Sequence, residues 1–123
     1  MKPDPAVIQD LVNRIRGVAS PRRIILFGSA ARGTMHPESD LDVLVVVADG
    51  VHRRRTAQSI YRNLIGLGTP VDIVVATEGD LERFGGEASM VYYPALQDGR
   101  PIYVAIDEFD RNAKLPPTSD SKW

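Results

Sequence analysis

Residues 22–48 read RRIILFGSAARGTMHPESDLDVLVVVA, two apolar runs joined by a polar stretch. The first run, Arg22 to Phe27, contains four consecutive apolar residues, and the second, Leu41 to Ala48, consists almost entirely of β-branched residues and leucine. Apolar runs without alternation predict strands that are covered on both faces. Gly28-Ser29 interrupts the first strand, and Ala30-Ala31-Arg32 predicts one helical turn directly after it.

The flanking segments predict helices and further strands around these two runs. Asp4-Pro5, an N-cap followed by proline, predicts the start of a helix that Gly17 ends. Apolar residues three or four apart predict a second helix from Ala57 to Leu67, closed by Gly66 and Gly68. Further predictions are a third buried strand at Pro70 to Ala76, a capping box at Thr77 and Asp80, a helix around Met90 to Ala95 and an edge strand at Ile102 to Val104. Strands separated by helices favour an α/β domain with helices packed on a sheet.

The composition of the chain is that of one ordinary globular domain. Its 123 residues are 43% hydrophobic and 25% charged, which disfavours fibrous and disordered classes. The absence of cysteine excludes disulfides, thiolate nucleophiles and iron–sulfur clusters, and two histidines make a histidine zinc site improbable. A net charge of −1 argues against nonspecific nucleic-acid binding through a global basic field and leaves a local basic patch open; no direct nucleic-acid binding is expected.

The sequence also predicts the domain layout and the compartment. No run of apolar residues is long enough to span a membrane, and the first residues do not resemble a secretory signal. Together with the missing cysteines, this predicts a cytoplasmic protein. Residues 1–105 are expected to form the domain, and residues 106–123, rich in charge and proline, a flexible tail.

Three aspartates beside apolar strands are the candidate functional residues. Asp40 and Asp42 flank Leu41, and side chains two apart on a strand project to the same face. Asp72 lies inside the apolar run Val71 to Val75. Clustered carboxylates without histidine or cysteine favour a hard divalent cation such as Mg²⁺. The structural alternatives are a turn position for Asp40, a solvated edge position for Asp42 and an edge strand facing water for Asp72.

A phosphate-binding turn is a second possibility suggested by Gly28-Ser29. Backbone N–H groups at a helix start attract phosphate, and glycine lets a ligand approach closely. Taken alone, Gly-Ser after a strand is more often an ordinary turn. It is not a P-loop, since no Gly-Lys-Ser/Thr follows at the required spacing.

In combination, the motifs resemble a known superfamily. Leu26 to Gly33, followed by Ser39 to Val45 and the lone strand aspartate Asp72, is similar to the DNA polymerase β-like nucleotidyltransferases. The likeness is greatest to their small prokaryotic branch, the minimal nucleotidyltransferases, and covers about residues 5 to 105. It implies a nucleotidyltransferase core with a small mixed β-sheet packed against helices.

The resemblance also implies roles for individual residues. Gly28 and Ser29 would bind the phosphates of ATP, and Asp40 and Asp42 would hold two Mg²⁺ ions. Asp72 would complete the metal site and activate an acceptor hydroxyl. Arg32 would meet phosphate, although pairing with a carboxylate is an equally good interpretation.

Minimal nucleotidyltransferases typically pair with a helical HEPN protein as antitoxin and toxin. The resemblance therefore implies Mg²⁺-dependent transfer of AMP from ATP to a hydroxyl, a tyrosine by preference, on a HEPN-type toxin. Two alternatives stay open: a non-catalytic nucleotide-binding antitoxin that acts by occlusion, and a small-molecule adenylyltransferase. Arg53, Arg54 and Arg55 form a basic cluster that is either a solvated surface or a dock for an acidic partner.

Overall fold

Helices and strands alternate along the part of the chain that this computed structural model describes, residues 3–33, 40–84 and 99–105. In chain order the elements are α1 (Pro5–Val18), β1 (Arg23–Phe27), α2 (Gly28–Arg32), β2 (Leu41–Val47), α3 (Arg53–Asn63), β3 (Val71–Thr77), α4 (Glu78–Phe84) and β4 (Arg100–Val104). The predicted Met90–Ala95 helix and the predicted tail at 106–123 lie outside the described residues. No helix among the described residues has the length and apolar character needed to cross a bilayer.

The four strands form one mixed sheet in the order β3-β2-β1-β4. β1 is antiparallel to both β2 and β4, whereas β2 and β3 are parallel and are joined through α3. This arrangement confirms the α/β fold with a small mixed sheet. The predicted burial of the Pro70–Ala76 strand is confirmed for Ile73, Val75 and Ala76, although β3 lies at an edge of the sheet and Asp72 on it is exposed.

Each face of the sheet carries its own apolar cluster. On one face, α1 and α3 pack through Leu11, Ile15 and Ile60 against strand residues that include Val43 and Ile73. On the other face, Leu81 of α4 packs against a smaller set that the alternation of side chains places opposite the first: Ile25, Leu44, Val46 and Ala76. The runs of β1 and β2 lack alternation because both of their faces are covered.

The helix termini follow local sequence signals, with two corrections. The Asp4 carboxylate accepts a hydrogen bond from Ala6 N at 2.9 Å, which confirms the predicted N-cap. Gly17 does not end α1, since the helix continues through Val18 and the N–H of Ala19 donates to the Ile15 carbonyl. α3 likewise ends at Asn63, before the glycines predicted to close it, and Leu64 caps it.

The start of α4 is the predicted capping box. Thr77 N donates to Asp80 Oδ2 at 3.0 Å, and Asp80 N donates to Thr77 Oγ1 at 3.1 Å. A further cap comes from outside the helix, where Gly79 N donates to Asp49 Oδ1 at 2.8 Å. These bonds fix α4 to the ends of β2 and β3.

Candidate functional site

Two of the three candidate aspartates are direct neighbours in the sheet. Asp42 on β2 is the register partner of Asp72 on β3. Successive side chains along a strand project to opposite faces of the sheet. The next residues, Val43 and Ile73, belong to the cluster under α1 and α3, so Asp42 and Asp72 project from the other face, which α4 partly covers. The structure therefore brings Asp42 and Asp72 to one face at one end of the sheet, as the sequence predicts.

Gly28 adjoins this pair from the neighbouring strand. Phe27, the last residue of β1, pairs with Asp42, and Gly28 then turns the chain with a φ of 70°. A Cβ atom at Gly28 would lie 3.2 Å from Asp42 Cγ and would overlap Asp42 Oδ2. The left-handed backbone and the close approach both require glycine at this position.

The short helix α2 starts at Gly28 without a side-chain cap. Phe27 occupies its N-cap position and makes no capping hydrogen bond through its side chain. Ser29 lies in the first turn, and Gly33 ends the helix in the left-handed conformation with a φ of 74°. The predicted helical turn is confirmed, and it places Gly28 and Ser29 at the end of β1 beside Asp42.

The electrostatics of Asp42 are those of a carboxylate in a crowded group. Its pKa is raised, first by burial, then by the negative charges of Asp72 and Asp40. The positive charge of Arg32, at the end of α2, opposes this effect and lowers the pKa of Asp42. Arg32 is thus close enough to Asp42 to act on it electrostatically, and this effect does not distinguish phosphate binding from carboxylate pairing.

Asp40 is less closely integrated into the site than Asp42. It is exposed and precedes β2, which starts at Leu41 rather than at Asp40. Within residues 3–33, 40–84 and 99–105, no group of three acidic, histidine or cysteine side chains converges closely enough to hold a metal ion. Mutual repulsion of three carboxylates favours such separation unless a cation lies between them.

The donor set nevertheless suits a hard divalent cation in its chemistry. Asp42 and Asp72 supply carboxylate oxygens from rigid, hydrogen-bonded strands, and Asp40 adds a third negative charge nearby. Oxygen-only donors of this kind are those that Mg²⁺ prefers. The charge of one arginine, Arg32, opposes the three carboxylates, so a bound cation would relieve the repulsion that raises the pKa of Asp42.

One supporting contact beside Asp72 was not anticipated from the sequence. Ile73 N donates to the Tyr61 hydroxyl at 2.8 Å, although the spacing of Tyr61 suggested a simple apolar position on α3. Because β3 is an edge strand, its outward N–H groups need partners from outside the sheet. The strand order would have signalled this contact, but the sequence alone did not supply that order.

The three arginines of the Arg53–Arg55 cluster differ in their contacts. Arg53 Nη1 contacts Asp80 Oδ2 at 2.7 Å, and this carboxylate is almost completely buried. The backbone N–H of Thr77, followed by Arg53, lowers the pKa of Asp80. Arg53 therefore holds α3 to the capping box of α4, whereas Arg54 and Arg55 stay exposed.

Comparisons with solved structures show the same fold in toxin–antitoxin proteins. A crystal structure of a toxin–antitoxin with AMP-PNP shares 25% sequence identity and a TM-score of 0.57 with this chain, covering 85% of this chain and 78% of the other. A mutant form of the toxin–antitoxin MntA–HpeT shares 20% identity and a TM-score of 0.57 over the same proportions. The second likeness, at its lower identity, shows the fold alone.

Sequence comparison identifies the family. No curated protein matches the chain significantly in sequence. Residues 8–103, however, match the family described as nucleotidyltransferase domain, and this match covers most of the chain and all eight described elements in whole or in part. The chain therefore belongs to the nucleotidyltransferase domain family, which confirms the resemblance carried by its Gly28-Ser29 and Asp40-Leu41-Asp42 motifs.

Proposed function

We propose that this chain is a Mg²⁺-dependent nucleotidyltransferase that moves AMP from ATP to a hydroxyl on a HEPN-type toxin, and so acts as its antitoxin. Residues 1–105 form the transferring domain in this proposal. The observation that carries it is the pairing of Asp42 with Asp72 on one face of the sheet, directly beside Gly28. Family membership supports the reaction class, and the toxin–antitoxin neighbours support the kind of partner.

The positions of the three aspartates suit them to different chemical roles. Asp42, half-buried and crowded by negative charge, is suited to holding metal ions together with Asp40. Asp72 is exposed on the edge strand, where an acceptor hydroxyl can approach it and give up its proton to the carboxylate. Two Mg²⁺ ions, when bound, would stabilise negative charge on the attacking and leaving oxygens of the phosphoryl group.

The turn after β1 is suited to the triphosphate. Gly28 and Ser29 lie at the start of α2, where backbone N–H groups attract phosphate. The Ser29 hydroxyl adds a polar group in the same turn, and Arg32 adds a positive charge at the other end of α2. Together they would hold ATP with its α-phosphate near the Asp42 and Asp72 pair.

Transfer of differently labelled phosphates tests the reaction. The chain is incubated with Mg²⁺, a HEPN-type protein as the proposed partner, and ATP labelled at either the α- or the γ-phosphate. The proposal expects label in the protein acceptor from α-labelled ATP only, with pyrophosphate as the leaving group. Label from γ-labelled ATP would indicate phosphoryl transfer and would contradict the proposal.

The same assay separates the alternative functions. If the toxin is neutralised by stoichiometric binding and remains unlabelled with α-labelled ATP, the chain acts by occlusion. If label appears in a small molecule without any protein partner, the chain is a small-molecule adenylyltransferase. Omitting Mg²⁺, or replacing Asp42 by asparagine, must abolish labelling if the two-carboxylate site is responsible.

A further inference from the structure

Charge is distributed unevenly along this nearly neutral chain. Residues 50–71 contain four arginines and no acidic residue, a net charge of +4 with histidine neutral. Because the whole chain carries −1, the remaining residues together carry −5. The positive segment is α3 with its flanking turns, so the helix carries a concentrated positive charge on a chain that is otherwise acidic.

Three of the four arginines form an exposed stripe on α3. Arg53 is engaged by Asp80, but Arg54, Arg55 and Arg62 are exposed, and among the described residues none of these three makes an ion pair. At 3.6 residues per turn they lie within an arc of about 100° on the side of α3 away from the buried Ile60. Two of them are in the first turn, where a cation opposes the helix dipole. These exposed arginines therefore do not stabilise the helix that carries them.

Exposed apolar side chains are interleaved with these arginines. Four of the five large apolar residues exposed in the described part of the chain lie on α3 or beside it: Val18, Val51, Tyr61 and Ile65. Ile65 is 78% exposed directly after the helix. Val18 lines a shallow cleft with Arg62, and Val51 lines another with Arg54. Arginine and tyrosine mixed with aliphatic residues are typical of protein–protein interfaces.

This surface is separate from the candidate nucleotide site. α3 packs on the sheet face that carries Val43 and Ile73, whereas Asp42 and Asp72 project from the opposite face. A molecule bound to the outer side of α3 would leave the aspartates open. The surface therefore has no part in the proposed transfer chemistry, and the inference that follows stands independently of it.

We propose that the outer side of α3, formed by Arg54, Arg55 and Arg62, together with Ile65 just beyond its end, docks an acidic protein surface that also presents aliphatic side chains. The arginines supply charge complementarity, and the exposed aliphatic residues gain burial against aliphatic side chains of the partner. Single-stranded nucleic acid fits less well, since its bases stack on aromatic rings, and the one exposed aromatic side chain of α3, Tyr61, has its hydroxyl bonded to β3. A second copy of this chain is the remaining candidate occupant.

A peptide titration followed by NMR tests this docking surface. The isotope-labelled full chain is titrated with an amphipathic helical peptide of about 20 residues that carries glutamate and leucine. Parallel titrations use the same peptide with glutamine in place of glutamate, and a single-stranded RNA. The variants are the double substitution Arg54→Glu with Arg62→Glu, the single substitution Ile65→Ser, and, as a matched control, Arg100→Glu on the exposed end of β4.

The proposal expects amide shifts concentrated in residues 51–65 with the acidic peptide. The arginine double variant should weaken its binding at least about tenfold, Ile65→Ser should weaken it less, and Arg100→Glu should leave it unchanged. Added salt should weaken binding to the native chain. The proposal is overturned if the acidic peptide does not bind, if the glutamine peptide binds equally well, or if the RNA binds more tightly through the same arginines. It is also overturned if light scattering shows that the native chain self-associates and the double variant does not.

Discussion

Gly28 turns the chain out of β1 directly against the carboxylate of Asp42, so that no side chain fits between them. This contact joins the Gly-Ser turn to the Asp-x-Asp motif, which the sequence presents as separate features. Asp42 in turn pairs with Asp72 on the next strand. The three residues are thus fixed relative to one another by the hydrogen bonding of β1, β2 and β3.

Replacing Gly28 by alanine is expected to destabilise the fold by about 2–4 kcal/mol. The positive φ costs roughly 1–2 kcal/mol for an L side chain, and the overlap with Asp42 adds a comparable strain. Urea denaturation measures the change in the free energy of unfolding. Gly50→Ala is the matched control, since Gly50 has a φ of 91° but nothing within 4 Å of its added Cβ.

The difference in destabilisation between Gly28→Ala and Gly50→Ala measures the contact between the added Cβ and Asp42. It should shrink when Asp42→Ala is combined with Gly28→Ala, because the carboxylate is then absent. Equal costs for Gly28→Ala and Gly50→Ala would show that the Asp42 carboxylate moves aside freely, and that the two motifs are not sterically coupled.

Replacing Asp42 by asparagine should leave the stability at pH 7 unchanged or raise it by up to about 1 kcal/mol. The folded pKa of Asp42 is raised, so its protonated form favours the folded state and its ionisation at higher pH costs stability. Asp42→Asn lacks this ionisation, so its gain in stability over the native chain should disappear below about pH 4. Thermal unfolding across pH checks this, and a marked destabilisation at pH 7 would show that Asp42 is a structural hydrogen-bond partner instead.

Replacing Asp80 by alanine should cost about 1–3 kcal/mol at pH 7, because Thr77 N and Arg53 both lose a partner. The folded pKa of Asp80 is lowered, so its contribution is present above its ordinary value of 3.8 and is lost as the pH falls through the lower folded pKa. Asp10→Ala, which removes a half-exposed pair with Arg14, is the control and should cost under about 0.5 kcal/mol. A pH-independent difference between the native chain and Asp80→Ala would contradict this assignment.

Local signals predicted much of the fold. The apolar runs of β1 and β2, the Asp4 cap and the Thr77–Asp80 capping box each depend on residues close together in sequence, and the structure confirms them. Strand order does not follow from such signals, and the edge position of β3 is seen only in the structure. The end of α1 was misplaced because Gly17 is accommodated within the helix.

In the candidate site, the contacts that the sequence does not predict are those between different strands and helices. Alternation along one strand predicts that Asp40 and Asp42 face the same way, but β2 begins at Leu41, so Asp40 lies before the strand. The placement of Asp72 opposite Asp42 depends on the register between β2 and β3, and the approach of Gly28 to Asp42 depends on the register between β1 and β2. The link between Arg53 and Asp80 joins two helices and has no sequence signal at all.

Intact-mass spectrometry of the proposed toxin partner is the most direct test of AMP transfer by this chain. A HEPN-type protein, the proposed partner, is incubated with ATP, Mg²⁺ and either the native chain, Asp42→Asn, Asp72→Asn or the control Asp10→Asn. The account predicts that the partner gains the mass of one AMP group with the native chain and with Asp10→Asn, and gains nothing with Asp42→Asn or Asp72→Asn. A partner that keeps its original mass while the native chain inhibits it by stoichiometric binding would contradict the account.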